Sequence, residues 1–259
     1  MSKVALITGA SSGIGKELAY IHAATGGNLV IVARSGDKLQ ELKKELESKY
    51  NIKVYCITKD LDMADSPQQV YDEVKRAGIE VDYLINNAGF GGIGKFHERV
   101  WEKDLAMINL NIIALTALTR LFLPDFVQRN SGKILNVSST ASLIPGPMQA
   151  VYYASKAYVT SFSNAIAEEL YDTNVTVTTL LPGATETGFG RISGMDKTSL
   201  FRHTASAHLV AQDGYDGMLE GKLDVITGLS FINKLLIKAT ALLPKSITLK
   251  QIRRMQEVK

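Results

Sequence analysis

Short runs of apolar, often β-branched residues alternate along this chain with longer stretches whose apolar positions recur at helical spacing. The short runs predict strands at Val4–Thr8, Asn28–Ala33, Lys53–Ile57, Val81–Asn86, Lys133–Ser138, Val175–Leu181 and Leu223–Ile226. Between them the helical period predicts helices over Ile14–Thr25, Asp37–Lys49, Ser66–Arg76, Val100–Gln128, Val151–Tyr171 and Ala205–Leu219. Several strands are apolar almost throughout rather than at every second position, as when helices cover both faces of a sheet. Strand and helix taking turns across this length predict the α/β class, with a doubly wound, Rossmann-type parallel sheet in a single domain over residues 1–259, its core being residues 1–228. Two segments break the rhythm. Pro182–Ala205 is rich in Gly, Ser and Thr and follows a strand end, the edge at which open α/β sheets bind ligands. Residues 229–259 read as a C-terminal extension, mostly helical by composition and divided by Pro244.

Composition narrows the classes. A chain of 259 residues, 46% hydrophobic and 21% charged, can bury a core without disulfides or a structural metal. Its one cysteine, Cys56, excludes an intrachain disulfide and suits a reducing compartment; it reads as a small buried hydrophobe. The four histidines (His22, His97, His203, His208) fall at no metal-ligand spacing, so no metal site is expected. Met1, Ser2 and Lys3 lead into Val4–Ile7, an apolar run too short and too soon broken by glycine for a secretory signal. Nor does an unbroken apolar stretch of about 18 residues mark a spanning helix. The expectation is a cytoplasmic protein. The net charge of +3 is unevenly spread: from Ile226 onward seven basic residues face one acid, and the body before it is slightly acidic. Nucleic-acid binding would need a basic face across that body, so it is not expected.

Thr8-Gly9-Ala10-Ser11-Ser12-Gly13-Ile14-Gly15 joins the first strand to the first helix. Three glycines let the backbone turn sharply and approach a pyrophosphate, which the helix N-terminus meets with free N–H groups and the positive end of its dipole. Ser11, Ser12 and Ile14 belong to the same turn. The second strand ends Ala33-Arg34-Ser35, with no acid until Asp37 to hold a ribose 2′-hydroxyl. Arg34 can pair its planar fork with a 2′-phosphate, Ser35 can add a hydroxyl donor, and Lys16 can add nearby charge, so NADP(H) is preferred over NAD(H).

Tyr152 and Lys156 stand at i, i+4 on one face of a predicted helix. A phenol of ordinary pKa about 10 needs nearby positive charge to exchange a proton at neutral pH, and Lys156 can supply it. Thirteen residues earlier, a strand ends in Ser138-Ser139, where a hydroxyl can donate to a substrate oxygen that gathers negative charge. Tyr153, one step off the Lys156 face, reads as a packing or pocket-edge residue.

The glycine spacing G-x-x-x-G-x-G, the Y-x-x-x-K pair and the serine ahead of it resemble the short-chain dehydrogenase/reductase family in its one-domain branch, over residues 3 to 228. The resemblance implies hydride transfer between nicotinamide and a carbonyl or alcohol carbon. It selects Ser139 over Ser138. It implies that Asn111, rather than Asn109, binds a water linking Lys156 to solvent. It implies that Asp60 and Leu61 flank the adenine, that Asn87, Ala88 and Gly89 line the cofactor's ribose side or else stabilise the central sheet, and that Pro182, Gly183, Thr185 and Thr187 orient the carboxamide. It further implies a homodimer or homotetramer paired through the two long helices.

The substrate pocket is expected near Ser139, Tyr152 and the loop after Pro182, with Leu143, Ile144, Met148, Phe189 and Ile192 as wall residues and Ile93 and Phe96 approaching from the fourth strand's loop. Their apolar character points to a lipophilic substrate such as a ketone, 3-oxoacyl or steroid-like compound. The lysine-spaced apolar run from Phe231 to Leu243 can pack on protein, close the pocket or touch a membrane surface, with protein packing favoured. A non-catalytic dinucleotide-binding regulator is the competing reading; its usual mark, loss of the tyrosine, lysine or serine, is missing.

Overall fold

The computed structural model describes residues 2–198, 201, 204–230 and 245–256. Strands β1 (Val4–Thr8), β2 (Asn28–Ala33), β3 (Val54–Thr58), β4 (Tyr83–Asn86), β5 (Gly132–Val137), β6 (Val175–Pro182) and β9 (Asp224–Thr227) form one sheet in the order β3-β2-β1-β4-β5-β6-β9. Every neighbouring pair in it is parallel. This is the doubly wound sheet that the alternation implied. The chain leaves β1 in one direction and returns on its other side with β4, which makes their carboxyl ends the switch point.

Successive side chains of a strand point to opposite faces. Ala5 and Ile7 of β1, with Leu29 and Ile31 of β2, meet one set of helices: α1 (Gly13–Ala24), α2 (Gly36–Tyr50) and α8 (Ala207–Glu220). Leu6, Val30 and Val32 meet the other: α3 (Ser66–Arg76), α5 (Leu115–Gln128) and α6 (Ala150–Glu169). Both faces are therefore apolar, which is why the strands read as continuous hydrophobic runs. Leu6, Ile7, Leu84, Ile85, Phe122 and Phe126 are wholly buried, each contributing about 1.5–3 kcal/mol.

The long helix predicted from Val100 begins as α4 (Trp101–Ile108), opens into a π turn at Asn109–Ala114 and continues as α5 to Gln128. Such turns insert one residue into a helix and recur at functional sites. Among the described residues, Trp101–Gln128 is also the stretch long and apolar enough to cross a membrane, a length the unbroken-run criterion did not register. Here Met107, Ala114, Leu118, Phe122 and Phe126 bury its inner side.

The segment after Pro182 is structured: β7 (Thr185–Glu186) pairs with β8 (Ala205–Ser206), and α7 (Phe189–Ser193) lies between them in the chain. In the C-terminal extension, α9 spans Lys245–Gln256. The apolar run from Phe231 to Leu243 lies outside the described residues.

Candidate active site

At the carboxyl end of β1, Gly9 and Gly13 take φ of 67° and 55°, left-handed conformations that favour glycine. A Cβ on Gly9 would lie 3.0 Å from the Ala88 backbone, and one on Gly15 would lie 2.4 Å from both the Gly9 carbonyl and the Asn87 amide. No side chain fits at Gly9 or Gly15. The N-cap of α1, Ser12, makes no side-chain cap bond, so the helix N-terminus keeps its free donors.

A residue that sequence reasoning passed over anchors this turn. Thr8 Oγ1 accepts hydrogen bonds from the backbone N–H of Asn87 and of Ala88, both at 3.0 Å. Asn87 Nδ2 in return donates to the Thr8 carbonyl at 2.9 Å. The ends of β1 and β4 are thereby locked together. The signal was present: a threonine ending an otherwise apolar strand beside a glycine.

One cleft of about 1640 Å³ gathers most of the expected residues. Gly9, Ser11, Ser12, Gly13, Ile14, Arg34, Ser35, Asp60, Leu61, Asn87, Ala88 and Gly89 line one part, and Ser139, Tyr152, Lys156, Pro182, Gly183, Thr185 and Thr187 line the other. A Cβ on Gly13 would sit 3.0 Å from Thr187 Cγ2, so the loop after β6 closes directly on the phosphate turn. The glycine cradle, the open helix end and a cleft lined from the Gly9–Ile14 turn to Tyr152 and Lys156 fit a dinucleotide. Arg34 is exposed at its edge, with Nη1 3.7 Å from Asp60 Oδ2. Asp60 stands beside Asp62, whose carboxyl is held above the usual range by burial first and then by its hydrogen bond with Asp60. Lys38 also lines this end of the cleft, where sequence reasoning had nominated Lys16. The Lys16 ammonium lies over the Tyr20 ring instead, 5.6 Å from its centroid.

The two serines that follow β5 part company. Ser138 faces α6, donating to the Lys156 carbonyl at 2.9 Å and sharing a 2.8 Å bond with Thr160 Oγ1. Ser139 faces the cleft, where its Oγ accepts from the Ala141 N–H at 3.1 Å. Tyr152 and Lys156 are both buried in α6. Burial pushes the Tyr152 phenol up to about 12, and a hydrogen bond with Ser139 draws it back. Burial pulls the Lys156 ammonium down to about 8, while its Nζ donates to the Val137 carbonyl at 2.8 Å. Desolvation disfavours the charged form of each, with opposite sign.

Asn111 sits in the π turn, buried, and clasps the loop after β4. Its Oδ1 accepts from the Phe90 N–H at 3.1 Å, and its Nδ2 donates to the Phe90 carbonyl and to Ser155 Oγ, each at 3.0 Å. A Cβ on Gly89 would lie 3.0 Å from Asn111 Oδ1 and 3.4 Å from Lys156 Nζ. The asparagine and the lysine thus converge behind Gly89. A deeper polar ladder, invisible as a motif, joins Asn86 of β4 to Asn136 of β5 at 2.9 Å and Asn136 to Ser163 of α6 at 2.9 Å.

Of the expected substrate residues, Ile93, Ile144, Phe189 and Ile192 line the cleft, and the Phe189 ring lies 5.5 Å from that of Tyr152. Leu143, Met148 and Phe96 are not among its lining residues. Met148 takes φ 68° and its carbonyl accepts from the Gly94 N–H at 2.8 Å, so it braces the loop after β4. Phe96 is largely exposed. From α9, Thr248, Gln251, Ile252 and Met255 complete the cleft wall, so the C-terminal extension reaches the pocket, one of the three roles open to it from the sequence.

The chain matches the family model for short chain dehydrogenases over residues 3–196. A very-long-chain 3-oxoacyl-CoA reductase of Rattus norvegicus is 33% identical over 211 residues, covering 78% of this chain and 66% of that protein. The chain therefore spans just under two thirds of that relative's length. An NADP-dependent 3-hydroxy acid dehydrogenase of Schizosaccharomyces pombe is 36% identical over 189 residues, covering 72% of this chain and 73% of that one. Among solved structures, a short-chain dehydrogenase from Sphingobium yanoikuyae in complex with NADPH superposes with a TM-score of 0.84 at 30% identity, covering 93% of each chain. With the sheet order, the glycine turn and the serine–tyrosine–lysine set all in place, the chain belongs to the short-chain dehydrogenase/reductase family.

Proposed function

We propose that this protein is an NADP(H)-dependent oxidoreductase that interconverts a carbonyl and an alcohol on a lipophilic substrate. The observation that carries the reading is the shared cleft: Ser139, Tyr152 and Lys156 line the same space as the turn from Gly9 to Ile14. A nicotinamide cofactor held there supplies or accepts the hydride. In reduction, Ser139 donates a hydrogen bond to the substrate oxygen, and Tyr152, protonated at neutral pH, passes its proton to that oxygen as the alcohol forms. Lys156, charged below about pH 8, favours the phenolate left behind. Asn111 holds the Phe90 backbone in place beside Lys156.

Arg34 at the end of β2, with Lys38 nearby, supports preference for a 2′-phosphate. The NADP-dependent yeast relative and the NADPH complex point the same way. The apolar wall of Ile93, Ile144, Phe189, Ile252 and Met255 supports a lipophilic substrate, and the acyl-CoA relative is consistent with one. The lone, half-buried Cys56 accords with work in the cytoplasm. A homo-oligomer is supported by the exposed apolar residues Trp101, Leu105 and Ile113 on α4 and the π turn, with Tyr158 on α6.

The test is NADPH and NADH oxidation against ketones and 3-oxoacyl compounds of rising chain length, comparing wild type with Tyr152→Phe. Turnover with NADPH that rises with chain length and collapses in the variant is expected. Preference for NADH or for small, highly polar carbonyls, or a variant with full turnover, would overturn the reading.

A further inference from the structure

We infer that Gln256 is a positioning residue: it latches α9 over the substrate end of the cleft and, through Tyr153, holds the ring of Tyr152. Gln256 is wholly buried, and its Nε2 donates to the Tyr153 Oη at 2.7 Å, a contact bridging 103 residues of sequence. Tyr153 in turn meets Tyr152 edge-on, with ring centroids 6.0 Å apart. The other side of Tyr153 is closed by Gly146, where even a Cβ would sit 2.3 Å from the ring. The Tyr153 ring is therefore confined between Gly146 and Tyr152, and its one free end, the hydroxyl, is held by α9.

Thr248, Ile252 and Gln256 fall at i, i+4 and i+8, one buried face of α9, and the first two line the cleft that holds Ser139 and Tyr152. This face is not fully satisfied. Among the described residues, Thr248 Oγ1, Gln256 Oε1, Ser142 Oγ and both amide atoms of Gln149 are buried without a hydrogen-bond partner. They belong to α9 and to the segment leading from Ser139 to Tyr152. Groups stripped of water and left unpaired work against the docked state. Docking of α9 is thus opposed by its own polar atoms, and the Gln256–Tyr153 bond helps to hold it. The same bond transmits the docked position of α9 to the tyrosine that delivers the proton.

Two arms test this. The first needs no substrate: hydrogen exchange of residues 245–256 in wild type, Gln256→Leu and Tyr153→Phe. Protection of this helix in wild type, lost in both variants while α1 and the sheet stay protected, is expected. Free exchange in wild type, or unchanged protection in Gln256→Leu, overturns the latch. The second arm rests on the reductase reading. There Gln256→Leu, Tyr153→Phe and the double variant should each lose about ten- to a hundredfold in kcat, since a small misplacement of a reacting group has that effect, and the double should lose no more than either single. The dissociation constant for NADPH should stay at the wild-type value, because α9 meets the substrate end; a loss of NADPH binding in step with kcat, or additive losses in the double, would mark a merely structural contact. Should wild type bind NADPH and protect α9 yet reduce no carbonyl, the reductase reading fails and the latch stands.

Discussion

Replacing Lys156 with methionine removes a buried positive charge while keeping most of the side chain's length. The lysine is 5% exposed, and burial lowers its pKa from 10.5 to about 8. At about 1.4 kcal/mol per unit, its charged form costs the folded protein roughly 3 kcal/mol at pH 7. The sign follows from proton binding: between pH 8 and 10.5 the unfolded chain holds the proton that the folded one has released, so wild-type stability rises with pH through this window. The penalty is complete below pH 8 and falls under about 1 kcal/mol by pH 10. Methionine forfeits the hydrogen bond to the Val137 carbonyl, worth about 1 kcal/mol, so the net gain at pH 7 is about 2 kcal/mol. For a chain of this size that is a Tm increase of about 4–8 °C. Thermal melts of apo wild type and Lys156→Met at pH 7 and pH 10 check it, with turnover measured alongside. The variant should melt higher at pH 7, lose that advantage by pH 10 and be nearly inactive throughout. A lower Tm at pH 7, or a difference that does not move with pH, would refute the reasoning.

The same lysine predicts the pH dependence of reduction: kcat/KM should be level through neutrality and fall above about pH 8, since Tyr152 stays protonated until about 12. A descending limb absent up to pH 10 would contradict this. The adjacent serines should separate cleanly. Ser139→Ala should lose about a hundredfold in kcat with little change in Tm, whereas Ser138→Ala, which strips a hydroxyl bonded to Lys156 O and Thr160, should lower Tm and leave most turnover. Arg34→Ala should raise the KM for NADPH about tenfold or more, the worth of a charge-assisted hydrogen bond, and leave that for NADH nearly unchanged.

Helices and strands were legible almost to the residue because each lies in an apolar run of its own period. β1, β2 and α3 keep their expected bounds, and the other expected elements move by no more than two residues at either end, whereas β7, α7 and β8 after Pro182 were not expected. The π turn at Asn109–Ala114 was not legible, because the run from Met107 to Leu118 is apolar at most positions and masks the shift in helical phase that an extra residue brings. Met148 and Leu143 illustrate a further limit. Both are apolar and lie in the right segment, but which way a loop residue faces depends on what packs against it. The assignment to Met148 of a brace on Gly94 follows from the meeting of two loops far apart in sequence.

What the sequence determined by itself was the chemistry carried by local order: a glycine turn between strand and helix, a tyrosine and lysine one helical turn apart, an arginine where an acid would otherwise stand. Spacing along one element suffices for these, since the backbone period sets which side chains share a face. Tertiary structure decided whatever needs two distant segments to meet. It turned Ser139 to the cleft and Ser138 to α6, set Thr8 as the clasp between β1 and β4, and brought Gln256 onto Tyr153 across 103 residues. No local period encodes such pairings; they arise where packing of the whole sheet brings the partners within hydrogen-bond distance.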